Sequence, residues 1–226
     1  MMILQPEMQP MPLIYLATTN PGKVREFREA AQPCGLKLEP LPGLESMSPA
    51  IEDGLTFEEN ARIKAEHYSH HASEALVLAE DSGLEVDELN GAPGVYSARY
   101  AAVLMQRAAT HQNSGDQANN EALIAQLQRL PAGKHPGRYI CVIALAQNGK
   151  TVKTFRGTAE GELITTPRGT GGFGYDPLFY FPALDKTFAE LPLAEKRGYS
   201  HRGQAFRAFL EWYKQNFGVA LPRKSK

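Results

Sequence analysis

Short apolar runs alternate with amphipathic segments along this 226-residue chain. The first run, LIYLA at 13–17, is rich in strand formers and ends in the polar Thr18, Thr19 and Asn20, which predicts a buried strand feeding a loop. Asn20 can cap the helix that follows and Pro21 suits its first turn; Val24, Phe27 and Ala31 share one face, and Gly35 closes it. Leu36, Leu38 and Leu41 suggest a second strand. Thr56 and Glu59 make a capping box, and Phe57, Ala61, Ala65 and Tyr68 recur at helical spacing, so a helix is predicted over 57–70. The run 75–79 reads as a strand that stops abruptly at Glu80, Asp81, Ser82 and Gly83. That would set two carboxylates at a strand's carboxyl end, where open α/β sheets keep their ligands.

Farther along, NGAPG at 90–94 is turn chemistry, the stretch 105–117 is polar and reads as mobile, and 119–130 reads as a helix. Strand-like segments at 139–147 and 151–156 are joined by Asn148-Gly149, a strong hairpin signal, so part of the sheet is antiparallel. A glycine-rich loop at 169–174 leads to a strand at 178–181. The last helix starts near Ser200, turns Ala205, Phe206, Phe209, Leu210, Tyr213 and Phe217 inward, and ends at Gly218. No repeat period is visible.

With 42% hydrophobic and 22% charged residues the composition is that of an ordinary globular protein, which excludes disorder, collagen and coiled coil. A domain of this length buries roughly 70% of its unfolded surface and needs no disulfide. Cys34 and Cys141 are therefore read as reduced thiols of a cytoplasmic protein. A net charge of -1 gives no global field toward nucleic acid or anionic lipid, and the basic Arg223, Lys224 and Lys226 are too few to change that. The apolar runs fall short of the ~20 residues of a membrane helix. Residues 1–12 lack signal-peptide features and read as a loose tail. No nucleic acid and no membrane is expected as a partner.

Adjacent acids after a buried strand must be solvated, capped by amides or bound to a cation, and Glu80-Asp81 poses that choice. Three other segments set small residues beside a cation: TTNPGK at 18–23, GTGGFGYD at 169–176 and EKRGYSHRG at 195–203. Exposed amides with a lysine or arginine are what a phosphate chain requires. The glycine loop is no dinucleotide fingerprint, since it does not open a helix, and Gly149-Lys150-Thr151 lacks the leading glycine of a P-loop. His67, His70 and His71 have helical spacing for a shared metal but no second ligand cluster, so a solvated polar face is the expectation.

Read together, TTNPGK at 18, GLTFEENARIKA at 54, EDSGLEVDELNGAPGVYSARYA at 80, GTGGFGYDP at 169 and SHRGQA at 200 resemble the inosine triphosphate pyrophosphatase family. The likeness runs from Leu13 to the final helix. It implies an α/β fold, an elongated mixed β-sheet with flanking helices and two lobes around a central substrate cleft, as one domain over 13–226. It further implies a homodimer, dependence on Mg²⁺, and hydrolysis of ITP, dITP or XTP to the monophosphate and pyrophosphate. Asp81 would be the general base, with Glu80 and Glu52 helping it hold the metal, Asp53 being the alternative to Glu52. Thr18, Thr19, Asn20, Pro21, Gly22 and Lys23 would wrap the triphosphate, with Ser82 touching it. Phe173, Gly174, Tyr175 and Asp176 would form the nucleoside pocket, Phe173 stacking on the purine. Lys196, His201 and Arg202 would complete the site. Two alternatives stay open: a pyrophosphatase for another modified nucleotide, and a nucleotide-binding protein that does not hydrolyse.

Overall fold

A computed structural model describes residues 13–105 and 113–217. A seven-stranded open sheet has the order β2 (Leu38–Pro40), β1 (Ile14–Leu16), β3 (Leu76–Val86), β4 (His135–Gln147), β5 (Lys150–Leu163), β6 (Phe179–Phe181), β7 (Lys186–Thr187). Only the β1 pairings with β2 and β3 are parallel. The rest are antiparallel, including the β4–β5 hairpin expected at Asn148-Gly149. Helices α1 (Pro21–Ala31), α2 (Phe57–Ser69), α3 (Tyr100–Leu104), α4 (Asp116–Leu127), α5 (Leu193–Tyr199) and α6 (His201–Phe217) flank it. This is the mixed α/β architecture that the family resemblance implies.

Local chemistry explains the starts. Asn20 Oδ1 accepts the Lys23 amide and Pro21 opens α1, while Thr56 and Glu59 close the capping box of α2. Several elements differ from expectation: β4 begins earlier, at His135, β5 runs on to Leu163, and α3 and α5 are additional short helices. Helix α4 begins at Asp116, three residues early, with Gly115 at φ +84 before it. More consequential, β3 does not stop at Ala79. It runs through Glu80, Asp81, Ser82 and Gly83 to Val86, because β4 pairs with it from Val77↔Ala146 to Val86↔Gly137. The parallel neighbour β1 reaches only Leu78, so from Ala79 to Gly83 β3 has no strand beside it on the β1 side, before Glu85 bridges to Pro93 and Val86 N donates to Ala92 O. The acids sit beside the carboxyl end of β1 and within β3.

Strand periodicity sorts the core. Leu76 and Leu78 of β3, with Cys141, Ile143 and Leu145 of β4, pack against Phe27 of α1 and Phe206, Phe209 and Tyr213 of α6. Val77 and Ala79, with Ile140, Val142 and Ala144, face Phe57, Ala61 and Ala65 of α2. A third cluster gathers Leu84, Val86, Leu123, Leu127, Leu163, Phe179 and Phe188 around the other ends of the long strands. No described helix is long and apolar enough to cross a membrane. The tail at 1–12, residues 106–112 of the polar stretch, the Gly218 stop and the basic Arg223, Lys224 and Lys226 lie outside the described residues.

Candidate active site

Adjacent residues of a strand point to opposite faces, so the pair expected to act together is split. Glu80 follows Leu76 and Leu78 toward α1 and α6 and is 3% exposed. Its Oε1 meets Lys23 Nζ at 2.5 Å and Arg202 Nη2 at 3.5 Å, and its Oε2 accepts the Cys141 thiol at 3.2 Å. Burial opposes its charge, but Lys23 and Arg202 outweigh that and hold its carboxyl far below the ordinary value. Asp81 faces α2, where its Oδ1 lies 2.9 Å from Lys64 Nζ. The same ammonium is 2.7 Å from Glu52 Oε2. Burial raises the Asp81 carboxyl above its ordinary value despite the pull of Lys64. Lys64, although buried, keeps its proton because both acids face it.

The loop that carries Glu52 is fixed by Asn60, which is 1% exposed and bonds both Gly54 N and Gly54 O through its side chain. Of the two neighbouring acids, Glu52 reaches Lys64 while Asp53 is exposed. Gly83 is needed because a Cβ there would strike Ser97 Oγ, and that hydroxyl accepts the Leu84 amide at 2.9 Å. The long block beginning at Glu80 is thus one packed unit.

On the α1/α6 side of the sheet a cavity of about 120 Å³ gathers Asn20, Lys23, Ser82, the segment 173–176, Lys196, His201 and Arg202. Asp176 Oδ2 accepts Lys196 Nζ at 2.6 Å and the Phe173 amide at 2.9 Å. Lys196 also lies 3.4 Å from Glu26, which binds Arg202 Nη1 at 2.5 Å. Arg202 Nη2 donates to Ser82 Oγ at 3.0 Å. Cations of Lys196 and Arg202 stand 5.3 and 5.4 Å from the Phe173 ring centre. A Cβ on Gly22 would come 3.0 Å from that ring, so the glycine lets the first loop approach it. His201 stacks flat on Tyr139, with centroids 4.6 Å apart. Burial and the nearby Arg202 and Lys196 hold its imidazole neutral, far below its ordinary value. His201 Nδ1 and Arg202 Nε are buried with no hydrogen-bond partner among the described residues, and such unpaired groups cost about 1–3 kcal/mol each unless a ligand meets them.

The expected residues do not all share this cavity. Thr18, Thr19 and Pro21 line an adjacent open groove behind the loop, and Asp81 and Glu52 lie across β3. The histidines of α2 form no metal site: His67 Nε2 lies 2.8 Å from Ser48 O, and no cluster of three ligating side chains occurs among the described residues.

Residues 14–212 match the Ham1 family profile. This chain belongs to the Ham1 family. It is 45% identical over 197 residues to a dITP/XTP pyrophosphatase of Acidobacterium capsulatum, covering 87% of this chain and 96% of that protein. A dITP/XTP pyrophosphatase of Thermus thermophilus is also 45% identical, covering 89% and 91% of the two chains. Among solved structures, a HAM1 protein from Coxiella burnetii aligns with a TM-score of 0.77 at 36% identity over 91% of this chain and all of that one. The Staphylococcus aureus Ham1 protein gives 0.75 at 37% identity, covering 90% and 98%. The resemblance carried by the five segments stands.

Two site residues of this Ham1 chain were not singled out from sequence. Lys64 falls inside the quoted GLTFEENARIKA, four residues after Asn60, so helical spacing puts it on the inward side of α2. Glu26 lies three residues after Lys23, one turn along α1, and gathers Lys196 and Arg202. For Glu26 the available signal was helical spacing from Lys23, and for Lys64 it was membership of the quoted segment at 54–65.

Proposed function

We propose that this protein is a hydrolase of nucleotide metabolism that converts the deaminated purine nucleotides ITP, dITP and XTP to their monophosphates and pyrophosphate, and so cleanses the cytoplasmic nucleotide pool. One observation carries the reading: segments distant in sequence meet at the free edge of β3, with a polar aromatic cavity on one face and a paired base on the other. The triphosphate crosses that edge, its charge met by Lys23 beside Glu80 and by Lys64 beside Asp81. Asp81 takes a proton from water, the water oxygen attacks the α-phosphorus, and the bond to the bridging oxygen of the β-phosphate breaks to release pyrophosphate. Lys64 favours the ionised form of Asp81, while burial raises its proton affinity overall. On the other face Phe173 stacks the purine. Arg202 Nε–H donates to a 6-oxo group, while the 6-amino group of adenine brings a second donor to the same place.

Mg²⁺ suits these residues. Glu52 Oε2 and Asp81 Oδ1 converge within 3 Å of one ammonium, so the pocket between them already accommodates positive charge, and the donors are all oxygen. Glu52 and Asp81 would hold the ion together with substrate oxygens, and it would neutralise charge developing on the phosphates. Glu80 is committed to Lys23 and Arg202 and serves as their counter-ion. A homodimer is consistent with the exposed Leu55 and Tyr96, 84% and 44% exposed, which line one open groove of mixed polarity that a second copy would cover. Pyrophosphate release from ITP, dITP, XTP, ATP and GTP, with and without Mg²⁺, tests the reading. Metal-dependent release favouring the first three supports it, whereas binding without release would favour a non-hydrolytic nucleotide binder.

A further inference from the structure

Helix α4 has so far had no part in the site, yet its first turns touch the loop that takes the base. Asp116 and Asn120 lie four residues apart and share one face of the helix. Asp116 Oδ2 accepts the Gly174 amide at 2.7 Å, and Asn120 Nδ2 donates to the Gly174 carbonyl at 3.1 Å. Both peptide groups of one glycine are therefore satisfied by one helix. Gly174 sits at φ +63, and a Cβ there would meet only Tyr139 Oη at an ordinary 4.0 Å, so it is the backbone conformation that calls for glycine. Next to it, Phe173 is tied through its amide to Asp176, and Tyr175 donates to Ser97 O at 2.7 Å.

The helix is itself anchored. Asn119, 3% exposed, accepts the Ala101 amide at 3.0 Å and donates to Ala98 O at 2.9 Å. Ser114 N donates to Ala98 O at 3.1 Å. The chain of contacts thus runs from the segment after β3, through α4, to the peptide that follows Phe173. Asp116 also lines the cavity.

We propose that Asp116 and Asn120 are positioning residues for base recognition: by gripping both peptide groups of Gly174 they set where the Phe173 ring stands. The inference rests on the reading that 173–176 takes the nucleobase. An acceptor is what Asp116 must supply, so Asn serves in its place and Ala does not.

The test is steady-state kinetics of the full chain on ITP with Mg²⁺, for Asp116→Ala, Asn120→Ala, Asp116→Asn and Phe173→Ala, each with its thermal midpoint. Asp116→Ala is expected to raise KM about tenfold, the loss of one hydrogen bond. Its kcat should stay within about twofold, because the attacking groups are on the other face of β3. Asp116→Asn should restore the wild-type KM. In a Phe173→Ala background the Asp116→Ala effect should vanish, as coupled positions show. Additive effects would overturn the proposal, since Asp116 would then act on substrate independently of the ring. An unchanged KM in Asp116→Ala and Asn120→Ala, beside a raised one in Phe173→Ala, would overturn it while leaving the base pocket standing. No effect of Phe173→Ala would remove the base pocket and this inference together.

Discussion

Strand β3 offers one acid to each of its faces, and the two are treated differently. Toward α1 and α6, Glu80 is buried among Lys23, Arg202 and the Cys141 thiol. Toward α2, Asp81 has a single cation, Lys64, shared with the half-buried Glu52. A buried carboxylate with several charged partners is a structural anchor: its desolvation is offset by fixed charges, and removing it strands them. A carboxylate held by one shared lysine, with burial raising its proton affinity, is suited to exchange partners and to accept a proton. Adjacent carboxylates thus meet different partners because strand periodicity turns them to opposite faces, and the proposed reactive role falls to the one with the single shared lysine.

The strongest way to break this comparison is Glu80→Gln. It leaves Lys23 and Arg202 facing a neutral amide, and the expected cost is roughly 3 kcal/mol of folding stability, read from chemical denaturation. A midpoint unchanged from wild type would show that Glu80 anchors nothing. Asp81→Asn is the converse. It should fold normally and bind ITP, yet lose turnover by ~10² or more, as removal of a general base does. Turnover equal to wild type would take Asp81 out of the mechanism.

Phe173→Ala sharpens the contrast between the preorganised base side and the chemistry. Loss of a stacking surface should raise KM for ITP by about tenfold with little change in kcat, since base–aromatic stacking contributes about 1–3 kcal/mol. A fall in kcat with KM unchanged would place the ring near the reacting phosphorus instead.

Most of the site was legible in the sequence because its residues fall in contiguous segments with strong local signals. Asn20 capping α1, the Thr56 and Glu59 box, and the Ser200 start of α6 each depend on neighbours a few residues away. The extent of β3 was not legible. EDSG looks like the end of a strand, and only the ladder with β4, some sixty residues distant, carries it on to Val86. That longer strand is what turns Glu80 and Asp81 to opposite faces of the sheet. The partners of Glu26 and Asp116 are long-range in the same way, with Arg202 and Gly174 far along the chain.

The smallest expected effect concerns His201, the neutral imidazole of the base side. Its folded pKa lies well below the ordinary value, by burial and then by Arg202 and Lys196, with Lys23 adding to them and Glu80 opposing. Above pH ~6.5 neither the folded nor the unfolded state protonates it, so it carries no pH-dependent term there. Below that value the unfolded chain takes up a proton that the folded one refuses. The wild type must then lose stability as pH falls, by up to about 1.4 kcal/mol per pH unit. His201→Gln abolishes this term. Plotted as the stability difference between wild type and variant, the line should be flat from pH 8 to about 6.5 and then slope against the wild type down to about pH 5.5. Parallel curves across that range would mean that His201 takes up its proton in the folded protein, and the base side would then carry a charge that the sealed arrangement around Arg202 is built to exclude.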